Sequence, residues 1–193
     1  MHPRLAALIG LILAALWWPV VFYFEAVDVW TGMGLGAPVL AVVALAAMWP
    51  DAQQLFRPTP KELGLGVATA LLGYVLALAG LKLLAWLFPA SPRVLSELYT
   101  DYLSIPKWQV VVLVLVVSAS EELFWRGLVQ QAIAMRFGWK AVPLAALAFA
   151  AVHAWSGNAM LVLGAFVFAT FWGALAWWRR SLVAALVSHV LWD

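Results

Sequence analysis

Apolar residues dominate seven long blocks of the chain, and polar residues gather in the short stretches between them and at a few positions inside the last blocks. A helix that crosses a membrane needs about 20 mainly apolar residues. The blocks Leu5–Phe24, Met33–Trp49, Leu63–Phe88, Trp108–Leu128, Ala141–Trp155 and Ala159–Trp178 reach or approach that length. A shorter block runs from Leu182 to Asp193. The pattern predicts an all-α fold, a polytopic transmembrane bundle of about seven helices forming one membrane domain over residues 1–193. The first block is long for a secretory signal and lacks a small-x-small cleavage site, so it reads as a retained anchor. Pro58 and Pro60 break any helix across the second connection. In the stretch from Pro89 to Pro106, Leu95, Leu98, Tyr102 and Leu103 fall on one side of a short interfacial helix.

Composition explains why lipid is the fitting surroundings. The chain is 66% hydrophobic and 10% charged, against about 25% charged residues in soluble domains. The net charge of +2 is carried by basic residues scattered singly, not by a patch, so nucleic acid is not an expected partner. There is no cysteine, which excludes disulfides and thiol catalysis.

The charges also suggest an orientation. Arg4, then Arg57 and Lys61, then Arg136 and Lys140, then Arg179 and Arg180 fall in one set of connections. The alternate set holds Glu25 and Asp28, the mixed run Arg93, Glu97, Asp101 and Lys107, and the uncharged turn Ser156–Asn158. The positive-inside rule predicts a cytoplasmic N-terminus and a last segment that runs outward. Trp49, Trp86, Trp108, Trp139, Trp155, Trp177 and Trp178 lie near block ends and read as an interfacial aromatic belt. Ala165, Ala169 and Gly173 form a small-xxx-small stripe suited to close helix packing. Lys82, alone inside its block, can snorkel to the interface and reads as structural.

Ionisable groups in hydrocarbon cost about 2.5–3.5 kcal/mol each even on the lenient insertion scale. The last blocks nevertheless hold Glu121, Glu122, Arg126, His153, His189 and Asp193. At about 1.5 Å per residue, His153 lies about 20 Å beyond Lys140, and His189 about 14 Å beyond Arg180. Glu121 lies about 22 Å before Arg136 on the same arithmetic. Three helices therefore offer polar groups at similar depth, which predicts a shared polar pocket. Glu122 and Arg126 are four apart and can pair. Glu121 points about 100° away from Glu122, which leaves its carboxylate for other work. His189 and Asp193 share a face, and Phe149 lies one turn before His153 as a wall. Ser118 and Ser120 flank the acidic pair, but such hydroxyls usually bond back to their own helix and are poor nucleophile candidates.

A free carboxylate in a dry cavity can act as general base on water, and a histidine can orient that water and pass a proton to a leaving amine. A second histidine with a polar neighbour can stabilise an oxyanion. That set suffices for peptide hydrolysis. The same Glu, His and His satisfy the ligand count of catalytic zinc, although the His-Glu-x-x-His helix is absent, so zinc stays open as an alternative while no metal or other cofactor is the favoured expectation.

Glu121-Glu122-Leu-Phe-Trp-Arg126-Gly127 resembles the EExxxR motif of the CPBP family, the membrane proteins that include the type II CAAX prenyl endopeptidases. Phe149-Ala-Ala-Val-His153 resembles its FxxxH motif, and His189-Val-Leu-Trp-Asp193 is similar to its third motif, a histidine followed four residues later by Asn or Asp. The resemblance covers residues 108–193. It implies an intramembrane glutamic endopeptidase in which Glu121 activates water with His153, while His189 and Asp193 form the oxyanion side and Glu122, Arg126 and Phe149 support them. Asp193 departs from the Asn of the prenyl-protein proteases, and an acid donates a hydrogen bond only when protonated. The expected partners are the lipid bilayer and a membrane-embedded or C-terminally anchored protein substrate. The expected location is a bacterial inner membrane, crossed many times; the oligomeric state is not readable. The alternatives are an inactive family member serving as a scaffold or self-immunity protein, a zinc-dependent protease, and an ion carrier. A carrier would show helices broken by Gly or Pro in matching halves, and no such pairing is visible.

Overall fold

Every regular element in the described part of the chain is helical. The computed structural model describes residues 1–48, 55–90, 93, 96 and 105–193. Helix α1 spans Pro3–Phe22, α2 Val29–Met48 and α3 Pro60–Leu87. Helix α4 (Lys107–Glu121) passes without a break into a π-helical segment, Glu122–Val129, and then into α5 (Gln130–Phe137). Helix α6 is Ala141–His153, α7 Ala159–Arg179 and α8 Val183–Trp192. The expected short helix between Pro89 and Pro106 lies largely outside the described residues, as does Trp49 of the expected belt.

The boundaries follow local chemistry. Pro60 opens α3, and the Thr59 side chain accepts from the Glu62 backbone N–H at 3.2 Å, satisfying one of the free donors of the first turn. Asn158 caps α7 in the same way, accepting from Met160 and Leu161. Gly138 takes a positive φ of 55° in the turn that ends α5, a region open to glycine because it has no Cβ.

The helical run Lys107–Ser156 is 50 residues long, yet it is not one span. Arg126 and Phe149 would lie about 34 Å apart on a straight helix, whereas the guanidinium stands 5.3 Å from the Phe149 ring. The chain therefore reverses at Gly138 and forms two antiparallel arms. One expectation is corrected here: the acidic helix does not stop at Leu128 but continues to Phe137. Gln130 and Gln131 look like a polar end, but Gln130 is buried and its Nε2 donates to the Gly173 carbonyl at 3.0 Å. Its polarity is satisfied inside the bundle, so the helix need not end there.

Two apolar cores flank the acidic segment. One joins α1, α2, the π-segment and α6 around Trp18, Phe124, Trp125, Leu128 and Phe149. The other joins α7 and α8 around Trp172, Leu175, Leu182 and Ala185. Small residues set the close approaches. Gln130 lies against Gly173 of the predicted stripe, where a Cβ would come within 2.6 Å of the glutamine oxygen. Helix α3 exposes most of its length and packs chiefly on α8, where a Cβ on Gly66 would meet Val187 Cβ at 2.6 Å and the Ala184 carbonyl at 3.0 Å. Its N-terminal end is fastened by Arg179, which donates to Glu62 Oε1 from Nε at 3.0 Å and from Nη2 at 2.6 Å.

A larger side chain at Gly66 cannot be absorbed, because backbone lies in its way. Gly66→Leu should lower stability by about 1–3 kcal/mol, read as a lower melting temperature in detergent; an unchanged melting curve would show that α3 is not seated on α8 in this way.

Candidate active site

The acidic motif sits where α-helix gives way to π-helix. Glu121 is the last residue of α4 and Glu122 the first of the π-segment. The wider turn is visible in the N–H of Gln130, which reaches back to the Trp125 carbonyl five residues away. Single π turns of this kind recur at functional sites. Gly127 lets this segment come close to its neighbours: a Cβ there would stand 2.9 Å from Met48 Cε and 3.3 Å from Leu182 Cδ1.

Glu122 is wholly buried, and its Oε1 has two cationic or hydrogen-bonding neighbours. Arg126 Nη1 stands 3.0 Å away, four residues along the helix, as the spacing predicted. His189 Nδ1 stands 2.8 Å away, brought from α8. The arginine contact is an ion pair off the hydrogen-bond line, since Arg126 Nη1 and Nη2 make no hydrogen bond among the described residues. Aromatic rings hold the guanidinium instead, Phe149 at 5.3 Å and Trp172 at 5.6 Å. A guanidinium over ring faces gains cation–π attraction, more so when removed from water.

The second nitrogen of His189, Nε2, lies 3.2 Å from Asp193 Oδ2 and 3.8 Å from Glu121 Oε2. The predicted His189–Asp193 pairing is therefore present. Ser118 donates its hydroxyl to the same Asp193 oxygen at 3.1 Å, while Ser120 bonds back to the Val116 carbonyl at 2.7 Å. Back-bonding thus holds for Ser120 and not for Ser118. Three carboxylates surround one imidazole. Ionised carboxylates only accept hydrogen bonds, so the bridging hydrogens come from His189 and Ser118, and the Arg126 guanidinium offsets part of the negative charge. Among the described residues the Glu121 side chain takes part in no hydrogen bond, and its Oε2 lies 3.8 Å from His189 Nε2.

His153, at the end of α6, is also buried, but its partners differ. Its Nδ1 lies 2.8 Å from the Phe149 carbonyl. A carbonyl accepts only, so this nitrogen is assigned as donor and Nε2 of the neutral ring keeps its lone pair. Three rings enclose it: Phe149 at 4.5 Å, Phe22 at 5.8 Å and Trp18 at 6.2 Å. No hydrogen bond or ion pair joins His153 to Glu121 or His189 among the described residues. Phe149 is the link, touching His153 on one side and Arg126 on the other.

Both nitrogens of His189 face carboxylates, and no group of three His, Asp or Glu side chains among the described residues is disposed to hold an ion.

Residues 103–193 match the family model described as type II CAAX prenyl endopeptidase Rce1-like. This part of the chain is similar to that family. No curated protein and no solved structure matches the chain. The matched region runs through α4 to α8 and holds every ionisable group of the cluster. Two walls of the His153 enclosure, Trp18 and Phe22, come from α1 and lie outside it.

Several residues of the site escaped the sequence. Trp172 stacks on His189, and Ser118 binds Asp193 across 75 positions of chain. A signal existed for the tryptophans: Trp18 and Trp172 lie inside their helices, where an interfacial belt does not place them. Ser118 had none, because its hydroxyl could equally have bonded its own helix.

Removing Arg126 leaves Glu122 buried with His189 as its remaining partner. Arg126→Ala should therefore cost about 3–5 kcal/mol, seen as poor folded yield and a lowered melting temperature. A variant that expresses and melts like the parent would contradict the pairing.

Proposed function

We propose that the protein is an intramembrane endopeptidase in which Glu121 is the general base on water. The observation that carries this reading is the contrast between two adjacent carboxylates. Glu122 is committed to Arg126 and His189, whereas Glu121 accepts no hydrogen bond among the described residues and faces the same cluster. The match to a family of peptidases supports the reaction class.

Glu121 takes a proton from water as the water oxygen adds to the scissile carbonyl carbon. The carbonyl oxygen becomes an oxyanion. As the C–N bond breaks, Glu121 returns the proton to the leaving nitrogen, so one water, one carboxylic acid and one amine balance. His153, with its Nε2 lone pair free, is suited to orient the water. His189 lies beside Glu121 and supplies the polar side on which negative charge develops. Asp193 takes a different part from the Asn it replaces. It accepts from Ser118 and faces His189, an arrangement that orients the imidazole and requires no donation by the acid itself.

The residues favour a reaction without metal. The substrate is a protein with a membrane-embedded or C-terminally anchored segment, since a catalytic cluster within the helices is reached from the bilayer. The positive-inside pattern supports a cytoplasmic N-terminus in a bacterial inner membrane, with the last helix running outward.

Purified Glu121→Gln should lose cleavage of any substrate the parent cleaves, while melting at the same temperature, because the amide preserves shape. Full turnover in that variant would defeat the assignment; an inactive parent across substrates would favour a scaffold. Strong chelators should leave parental turnover unchanged, with no stoichiometric zinc in the purified protein. Loss of activity restored by zinc would replace the metal-free route.

A further inference from the structure

The two ring nitrogens of His189 lie 2.8 Å from Glu122 Oε1 and 3.2 Å from Asp193 Oδ2, and these contacts do not by themselves hold the ring plane. The torsion that turns an imidazole about its Cβ–Cγ bond has a broad minimum, and hydrogen bonds tolerate tens of degrees of misalignment. A flat surface against the ring face is a firmer restraint. Trp172 of α7 supplies one: its ring centroid lies 3.7 Å from that of His189, with 20° between the planes. Both residues are buried.

The indole is itself fixed on three sides. Its Nε1–H donates to Ser188 Oγ at 3.3 Å, on the residue that precedes His189 in α8. Phe168 packs against it at 5.5 Å and Trp192 edge-on at 6.0 Å. The Arg126 guanidinium stands 5.6 Å from its centroid. One side chain thus meets the two groups that flank Glu122, His189 on α8 and Arg126 on the π-segment.

We propose that Trp172, anchored by Ser188, is the positioning residue of His189: its indole face sets the imidazole plane so that one ring nitrogen meets Glu122 and the other meets Asp193. Its consequence for turnover rests on the peptidase reading above; its consequence for the ring does not. Tryptophan is fitted to this place because it offers a large flat face and an N–H that locks its own rotation. Phenylalanine would keep part of the face and lose the lock. Leucine would lose both.

Four variants in detergent or vesicles test this: Trp172→Leu, Trp172→Phe, Ser188→Ala and the double Trp172→Phe/Ser188→Ala, with Trp178→Phe on the exposed belt as control. Trp172→Leu should lower kcat about tenfold or more, since small misplacements of catalytic groups are costly, with KM within about twofold of the parent. Trp172→Phe and Ser188→Ala should each lower kcat less, and the double variant should be no worse than the weaker single, because both remove the same bond. The control should match the parent. Independently of activity, the ring-nitrogen NMR signals of His189 should shift in Trp172→Leu. If that variant does not fold, the milder pair carries the same test through the same signals. Parental kcat in folded Trp172→Leu, a loss confined to KM, additive losses in the double variant, or unmoved His189 signals would each overturn the proposal. If Glu121→Gln keeps its turnover, the peptidase reading fails on its own account, while the NMR arm still decides whether Trp172 positions His189.

Discussion

The buried carboxylate of Glu122 is the constraint around which the rest of the site is arranged. An ionised group sealed among helices is costly unless charge and hydrogen bonds compensate it. Glu122 obtains compensation from Arg126 on its own helix and from His189 on α8. The second contact is the consequential one, because it joins the acidic segment to the last helix. Remaining needs then propagate outward: Arg126 is taken up by Phe149 and Trp172, and the far nitrogen of His189 by Asp193, which Ser118 secures. The contacts of Glu122 with His189, Asp193 with Ser118 and Arg126 with Trp172 cross between helices, so the polar groups also fix the bundle's registration.

The same arrangement separates two residues of identical chemistry. Glu121 and Glu122 are adjacent in sequence, yet one is tied down and the other is left without a hydrogen bond among the described residues. Environments that drive like groups into different roles are a common way for active sites to divide labour between a supporting group and a working one. The change from α to π winding at this point places the pair at the boundary of two backbone geometries.

Aromatic residues carry a second division. Those at helix ends, such as Trp86, Trp108, Trp139 and Trp178, are exposed, as an interfacial belt requires. Others face polar groups: Trp18 and Phe22 enclose His153, and Trp172 lies flat on His189. Helix α1 therefore contributes to the site although the family match begins at residue 103. His153 is held within rings, and its connection to the acidic cluster runs through Phe149.

Composition and periodicity by themselves determined the helical class, the multiple apolar spans and the candidate ionisable residues, because insertion into lipid depends on the residue types a segment contains. Pairings four residues apart, Glu122 with Arg126 and His189 with Asp193, were also legible, since helical geometry fixes them within one segment. What the tertiary structure decided are the contacts between segments: Glu122 with His189, Ser118 with Asp193, Trp172 with His189, and Gln130 with Gly173, which lets the acidic helix run on to Phe137. A hydroxyl, an amide or an indole can bond its own helix or a neighbour with similar ease. Only packing, through crossing distances set by residues such as Gly127 and Gly173, determines which neighbour comes within reach.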